Sequence, residues 1–319
     1  MRGKNATERL SPDEQGIARA AQILRDGGLV AVPTETVYGL AARADSDEAV
    51  AKIYAAKGRP SFNPLIVHVG DTAQANILAQ WDERATRMAE AFWPGPLTLV
   101  LPRRPDAGLA TAVTAGLPTL ALRCPAHPAM RAIIAAAQVP LAAPSANRSG
   151  FVSPTMAEHV FQTLDGRIDA VLDGGATARG LESSIVALRD IANGGGWQML
   201  RPGPITREQI AEVIGDDREI AVAATAIEAP GQLASHYAPG KPLRLEAEQA
   251  VPGEFMIGFG TIPGDCTLSS AGDLEEAAAR LYECLHLAAE SEQARIAVAP
   301  IPDRGIGTAI NDRLRRAAA

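Results

Sequence analysis

Residues 29–40, LVAVPTETVYGL, join a short apolar run to a polar loop. The four apolar residues Leu29–Val32 predict a buried strand, and the proline that follows ends it. Two threonines and a glutamate come next, and then a glycine permits close approach of the backbone. A polar loop directly after a buried strand is typical of the ligand-binding edge of an α/β sheet. A simple turn capped by threonines is the alternative, and this stretch alone does not decide between them.

Outside this stretch, short apolar strands alternate with helical segments. A helix is predicted over about residues 46–57 and a strand over 65–69. The same pattern predicts strands at 97–101, 119–122, 139–143, 170–172 and 184–188, and helices at 128–137 and 155–164. Such alternation favours an α/β fold over an all-β sandwich. The close spacing of strands near 97–122 and 170–200 indicates that parts of the sheet are antiparallel.

The length of 319 residues predicts two domains. Residues 1–10 are interpreted as a flexible tail, and residues 11–214 carry the main pattern of strands and helices. Residues 215–240 have weak periodicity and are interpreted as a linker. A smaller α/β domain is predicted over residues 241–319, with strands at 243–245, 255–258 and 296–299 and a main helix whose apolar positions run from 274 to 288.

The overall composition narrows the function classes. The net charge is −7, with 30 Lys and Arg against 37 Asp and Glu, and aromatic residues are scarce. Proteins that hold a long stretch of RNA usually carry a basic stripe, which this chain lacks. The three cysteines are far apart, which argues against a disulfide framework and a zinc site. The polar start and the lack of a long apolar run predict a cytoplasmic protein without a membrane span.

Three further polar segments follow predicted helices or strands. Lys57 and Arg59 flank a glycine just after a helix and could converge on phosphates, although Lys57 alone could serve the helix dipole. Arg123 follows a small apolar strand and needs an anion, either a ligand or a structural carboxylate. Ser145 and Asn147 at a strand end offer hydrogen bonds to a polar ligand, or form an ordinary turn.

Common catalytic signatures are missing from the chain. There is no GxxxxGK[ST] phosphate loop, no HExxH zinc motif and no nucleophile elbow. The residues by themselves therefore predict a polar cleft without naming a reaction.

Taken in order, the polar segments resemble a known family. They are PTETVYGL, KGRPSFNPLIVH, WPGPLTLVL, LRCPAHP, PSANRSGFVSPT, GLESSIV and LRPGPIT between residues 33 and 206, with APGQLASHYAP at 229–239 and RGIGTAINDR at 304–313. This series resembles the YrdC-like family in its long, two-domain form, the threonylcarbamoyl-AMP synthases. The resemblance implies a twisted mixed sheet with helices around a deep cavity, a linker closing over the active site, and a smaller Rossmann-like α/β C-terminal domain.

The same resemblance implies a reaction. L-threonine, bicarbonate or CO2, and ATP would give threonylcarbamoyl-adenylate and pyrophosphate. Mg²⁺ would be carried by the ATP phosphates, and no metal site of the protein itself is expected. A separate tRNA threonylcarbamoyl transferase would use the product to modify an adenosine of tRNA, so tRNA binding by this chain is expected to be weak or indirect.

Residue roles also follow from matching the family motifs position by position. Lys57 and Arg59 are expected to be catalytic. The expected threonine-binding residues are Thr36, His68, Arg123, Ser145 and Ser183. The expected ATP-binding residues are Lys57, Arg59, Asn63, Thr119, Ala143, Asn147, Ser153, Arg201 and Tyr237, with Ala143 contributing only its backbone.

Two other functions are alternatives to threonylcarbamoyl-AMP synthesis. An RNA-binding or ribosome-assembly module could also use a basic cavity, but the negative net charge and the few aromatic residues argue against it. Carbamoyl transfer of the hydrogenase-maturation type would require an acylphosphatase region and zinc-finger cysteines, and the sequence contains neither.

Overall fold

The computed structural model describes residues 6–189, 195–214, 228–232 and 236–319. Its α-helices are α1 Glu14–Arg25, α2 Asp47–Lys57, α3 Thr72–Leu78, α4 Glu83–Phe92, α5 Pro128–Ala137, α6 Ala157–Leu164, α7 Arg207–Ile214, α8 Leu274–Glu290 and α9 Gly307–Ala317. Its strands are β1 Glu8–Leu10, β2 Val30–Val32, β3 Gly39–Arg43, β4 Ile66–His68, β5 Leu97–Pro102, β6 Thr119–Arg123, β7 Leu141–Ala142, β8 Ala170–Leu172, β9 Ser184–Leu188, β10 Trp197–Arg201, β11 Leu243–Arg244, β12 Glu254–Gly258, β13 Cys266–Thr267 and β14 Arg295–Val298.

The larger domain is built on one sheet in the order β1-β8-β2-β3-β7-β4-β6-β5-β9-β10. Strands β2 and β8, β4 and β6, and β5 and β9 pair in parallel, whereas β3 is antiparallel to both β2 and β7. The predicted mixed α/β sheet is therefore confirmed. Apolar residues of helices and strands pack on both faces, which explains why the strands are almost continuously buried.

The first strand corrects one prediction. Residues 1–10 were expected to form a flexible tail, but Glu8–Leu10 pair in parallel with β8 and extend the sheet. Residues 1–5 lie outside the described residues. The three-residue strand gave no signal because only Leu10 faces the core, while Glu8 and Arg9 remain exposed.

Helix α2 shows how the local sequence positions the site. Ser46 caps its first turn by accepting a hydrogen bond from the Ala49 amide, and Gly58 provides the C-cap. The apolar face that includes Val50 and Ile53 is fully buried. The helix predicted over 46–57 is thus confirmed. Lys57 lies in its last turn, next to the polar loop that follows.

The smaller domain carries a parallel sheet in the order β11-β14-β12-β13. Helices α8 and α9 pack against it and bury Leu281, Leu285 and Ile310 in a second core. The smaller C-terminal α/β domain is confirmed. Much of the predicted linker, residues 215–227 and 233–235, lies outside the described residues, so the exact domain boundaries stay a prediction.

The two domains meet along helix α8. His159 of the larger domain stacks on His286 of α8, with ring centroids 3.7 Å apart. Gly180 lies so close to the same helix that a β-carbon there would be 2.3 Å from the Ala279 carbonyl oxygen. Its φ of +68° is also in the left-handed region. A glycine is therefore required at this contact for two separate reasons.

We predict that Gly180→Ala destabilises the protein more than Gly166→Ala does. Gly166 is the matched control because its φ is +67° and no atom lies within 4 Å of a β-carbon there. Both changes carry a backbone penalty of about 1 kcal/mol, and overpacking adds roughly 1–3 kcal/mol at Gly180 alone. Thermal unfolding of the two variants measures the difference. Equal melting temperatures would contradict the close contact between the domains.

Candidate active site

A cavity lies over one face of the large sheet and beneath the linker. All of the predicted threonine-binding residues line it, together with part of the predicted ATP set. These lining residues are Thr36, His68, Arg123, Ser145 and Ser183, and also Arg59, Ala143, Arg201 and Tyr237. Its free volume is about 40 Å³, which holds only about three water molecules. Pockets for drug-sized ligands measure about 300–1,000 Å³, so the cavity in this structure is smaller than such a pocket. Pro230, Gly231, His236 and Tyr237 of the linker are among its lining residues.

Strand pairing brings these residues together. In the parallel pair of β4 and β6, His68 is the direct partner of Arg123. Ser145 after β7 forms a bridge with Gly39 at the start of β3. Arg201 at the end of β10 pairs with Ile185 of β9, just after a register shift. Residues that are far apart in the chain thus face one cavity because neighbouring strands place them at the same level of the sheet.

Arg123 forms one end of the cavity. Its guanidinium donates hydrogen bonds to the Gly95 carbonyl at 3.3 Å, to the Thr36 hydroxyl at 3.0 Å and to Glu35. Glu35 also accepts from the backbone amides of Ala126 and His127. Burial alone would raise the pKa of Glu35, but the Arg123 charge brings it below its ordinary value. Arg123 therefore has a structural carboxylate and also faces the cavity.

His68 beside Arg123 is a neutral imidazole. Burial, reinforced by the Arg123 charge, lowers the pKa of His68 to about 3. Its Nδ1 atom is buried without a hydrogen-bond partner among the described residues. A buried polar atom that faces a cavity without a partner is suited to a ligand.

Arg201 forms another part of the cavity wall. It donates to the Ser183 carbonyl at 2.9 and 3.1 Å and to the Pro230 carbonyl of the linker at 3.3 Å. Its Nη2 atom also donates to the Ser183 hydroxyl at 3.1 Å. Burial lowers the pKa of Arg201. The linker thus closes on this arginine.

Arg59 is the second buried cation of this wall. It donates to the backbone carbonyls of Asn63 and Pro64 at 3.3 and 3.0 Å. Burial lowers the pKa of Arg59 to about 10, and the nearby positive charge of Arg201 acts in the same direction. Two guanidinium groups that line one cavity, neither in an ion pair with a carboxylate of the described residues, favour an anionic ligand such as a phosphate.

Lys57 does not line the cavity in this structure. Its ammonium group is buried and donates to the Ser145 carbonyl at 2.6 Å and to the Asn147 carbonyl at 2.5 Å. Burial, and then the charge of Arg59, lowers the pKa of Lys57 well below its ordinary value. These contacts hold the polar loop after β7 in place. In this structure the ammonium group thus positions the loop, and the direct catalytic role of Lys57 stays a prediction.

Asn63, Asn147 and Ser153 of the predicted ATP set are buried and are not among the residues that line the cavity. Both amide atoms of Asn63 and the Oδ1 atom of Asn147 are buried without a partner among the described residues. The Ser153 hydroxyl donates to Glu182 at 2.5 Å. The contact of these three residues with ATP stays a prediction.

Thr119 is not brought to the cavity. It pairs with Pro102 at the start of β6, whereas Arg123 ends the same strand. Four residues of a strand span roughly 13 Å. The structure thus does not support the predicted contact of Thr119 with a ligand in this cavity.

Sequence reasoning missed two carboxylates that shape the site. Glu35 lies within the segment first singled out, but its pairing with Arg123 depends on strands far apart in the chain. Glu182 lines the cavity and bonds to Arg313, 131 residues away. Neither pairing leaves a local pattern. The sequence could have indicated these carboxylates only through the position of each glutamate next to a buried apolar strand.

The described part of the chain contains neither a metal-binding cluster nor a membrane-spanning helix. No group of three or more His, Cys, Asp or Glu side chains there could hold a metal ion. None of the helices within those same residues is long and apolar enough to cross a lipid bilayer.

Two family models together match nearly the whole chain. The Sua5/YciO/YrdC model, described as telomere recombination, matches residues 22–203. The model described as the C-terminal domain of threonylcarbamoyl-AMP synthase matches residues 205–319 and so includes the linker.

Full-length relatives agree with these models. The threonylcarbamoyl-AMP synthase of Bacillus subtilis strain 168 is 43% identical over 98% of this chain and 96% of its own length. That of Pyrococcus abyssi is 38% identical, again over 98% and 96%. The crystal structure of P. abyssi Sua5 complexed with L-threonine has a TM-score of 0.88, is 35% identical, and covers 98% of both chains. The chain therefore belongs to the family of two-domain threonylcarbamoyl-AMP synthases.

Proposed function

We propose that the cavity binds L-threonine at its Arg123 end and ATP along the Arg59 and Arg201 wall. There it joins them with bicarbonate or CO2 to give threonylcarbamoyl-AMP and pyrophosphate. The observation that carries this proposal is that three buried guanidinium groups, those of Arg59, Arg123 and Arg201, line one cavity. Arg123, which already has a structural carboxylate, suits the single charge of an amino-acid carboxylate, and the other two suit a triphosphate.

At the threonine end, Arg123 has hydrogen-bond donors that are not used by the protein. A guanidinium has five N–H bonds, and Arg123 directs three of them to Gly95, Thr36 and Glu35. The remaining two have no acceptor among the described residues and are available to a carboxylate. His68, being neutral, can form a hydrogen bond with the amino acid without repelling its ammonium group. A relative that was crystallised with L-threonine supports this half of the proposal.

The reaction itself needs no enzyme nucleophile. Threonine's amine and CO2 form a carbamate, one carbamate oxygen attacks the α-phosphorus of ATP, and pyrophosphate leaves. In such a displacement the protein chiefly positions the reactants and stabilises the charge on the phosphates. Arg59 and Arg201 would do this directly, while Lys57 would hold the loop of Ser145 and Asn147 against the substrates.

ATP can enter only if the linker moves. The free volume of about 40 Å³ cannot hold a nucleotide, and Pro230, Gly231, His236 and Tyr237 of the linker line it. We therefore infer that this is a contracted conformation and that these residues shift outward when ATP binds.

The proposal also covers the metal ion, the downstream partner and the location of the protein. Mg²⁺ would enter as part of the substrate, coordinated by the ATP phosphates. A separate tRNA threonylcarbamoyl transferase would consume the product, with weak or indirect binding of tRNA to this chain. The cytoplasmic location expected from the sequence stays a prediction.

Product analysis tests the function. The purified protein is incubated with ATP, Mg²⁺, L-threonine and bicarbonate, and threonylcarbamoyl-AMP is sought by mass spectrometry while pyrophosphate release is followed. Omission of threonine or of bicarbonate should abolish the product. Binding of tRNA at two salt concentrations without product formation would instead favour the RNA-binding alternative.

We predict that Arg123→Lys raises the KM for threonine by about 10-fold or more, because an ammonium cannot replace a bidentate guanidinium. The KM for ATP should change little. Arg131→Lys is the matched control, since the Arg131 side chain donates to the sulfur of Cys124, the residue next to Arg123, at 3.6 Å and does not line the cavity. Steady-state pyrophosphate release measures both constants. An unchanged KM for threonine would remove Arg123 from the proposed pocket.

We predict that Arg59→Ala lowers kcat/KM for ATP by at least about 10-fold, since each charge-assisted bond is worth roughly 1.5–3 kcal/mol. Arg104→Ala is the control. Arg104 also donates to two backbone carbonyls, those of Asn76 and Ala79, but it does not line the cavity. The same turnover assay applies, with circular dichroism as a check on folding. Near-normal turnover of Arg59→Ala would argue strongly against a phosphate site at this wall.

A further inference from the structure

Glu182 is the one carboxylate that lines the cavity among the residues that the structure describes. It precedes β9 and is itself almost completely buried. One of its oxygens accepts from Ser153 at 2.5 Å. A buried carboxylate beside the cationic wall would normally pair with those cations and remove them from ligand binding. What holds Glu182 in place therefore affects the substrate site.

The partners of its other oxygen come from the C-terminal domain. The Tyr282 hydroxyl of α8 donates to Oε2 at 2.8 Å, and Arg313 Nε of α9 donates to the same oxygen at 3.0 Å. Arg313 is fully buried and also donates to the Pro202 carbonyl at 3.0 Å. Two residues of the C-terminal domain thus reach the wall of a cavity that belongs to the other domain.

The same two side chains contact the linker. The Arg313 guanidinium lies 5.4 Å from the centre of the Tyr237 ring, and the rings of Tyr237 and Tyr282 stack with centroids 5.6 Å apart. Tyr237 lines the cavity. One cluster, which we call the Glu182 cluster and which consists of Glu182, Tyr237, Tyr282 and Arg313, therefore joins cavity, linker and C-terminal domain.

The charge of Glu182 depends on its arginine neighbours and in turn affects the cations around the cavity. Burial alone would raise the pKa of Glu182, but Arg313 and then Arg201 bring it to about 2, so Glu182 stays ionised. Its negative charge in turn opposes the effect of burial on Lys57 and Arg201. With Arg313 as its main partner, Glu182 partly offsets the effect of burial on these groups without forming a direct ion pair with Arg201.

We propose that Arg313 and Tyr282 are positioning residues of the ATP site, acting through Glu182. If Arg313 is removed, Glu182 is left with Arg201 as its strongest remaining cationic influence and moves toward it. Arg201 is then withdrawn from the phosphates. Arg123 and Glu35 at the threonine end form no hydrogen bond with this cluster, whereas Ser183 of the predicted threonine set contacts Arg201, so the affinity for threonine should fall less than that for ATP. This inference rests on the proposed assignment of the Arg201 wall to ATP.

The test measures binding of Mg·ATP and of L-threonine separately, by isothermal titration calorimetry on the full-length protein. Arg313→Met should weaken Mg·ATP binding by about 10-fold or more and weaken threonine binding by a clearly smaller factor. Combining it with Glu182→Gln removes the unpaired carboxylate, so the double variant should bind Mg·ATP more tightly than Arg313→Met alone. Equal weakening of both ligands, or no recovery in the double variant, would overturn the proposal.

Tyr282→Phe provides a milder variant in case Arg313→Met does not fold. It removes one hydroxyl and keeps the buried ring, so Mg·ATP binding should fall by about 3- to 10-fold. Arg244→Met is the control for general damage to the C-terminal domain, because the ion pair of Arg244 with Glu254 lies outside the cavity. If Arg244→Met weakens Mg·ATP binding as much as Tyr282→Phe does, the cluster has only a structural role.

These binding measurements are independent of product formation. A wild-type protein that binds both ligands but forms no threonylcarbamoyl-AMP would refute the proposed reaction and leave the positioning proposal to be decided by the variants. A wild-type protein that forms the product, with variants that bind Mg·ATP normally, would refute the positioning proposal alone.

Discussion

The structure depends on keeping several positive charges buried over one face of a sheet. Lys57, Arg59, Arg123 and Arg201 are all nearly inaccessible to solvent, and a charge removed from water is costly unless the protein supplies other polar partners. Backbone carbonyls accept most of their hydrogen bonds, so the charges are solvated by the protein but only partly neutralised. The cavity therefore carries an excess of positive charge, which favours the binding of anions.

Two carboxylates determine which of the buried arginines keep an unpaired positive charge. Glu35 neutralises part of Arg123 and fixes its orientation, whereas Glu182 is directed toward Arg313 and so leaves Arg201 facing the cavity. The C-terminal domain has a clear physical role in this view, because it supplies the counter-ion for a carboxylate of the other domain. The close packing of Gly180 on helix α8 and the stacking of His159 on His286 hold the two domains at the distance this ion pair needs.

The fold was largely predictable from local patterns. Helix α2 was predicted within one residue of its start, and the strands from 97 to 188 were found because buried strands between helices are short apolar runs with polar ends. The strand Glu8–Leu10 was missed, since three residues with one buried side chain carry no periodic signal. Strand order was not predictable either, because β7 lies between β3 and β4 through contacts distant in sequence.

For the site, the sequence by itself determined which residue types are present and, through the family motifs, which of them act together. It placed Arg123, Ser145 and Arg201 in one pocket, and they do line one cavity. Only the tertiary structure decided the finer roles. It turned the Lys57 ammonium toward a loop, left Thr119 at the far end of its strand, and paired Glu182 with Arg313. The reason is that a local pattern records burial and chain direction, whereas the partner of a buried charge depends on distances between elements far apart in the chain.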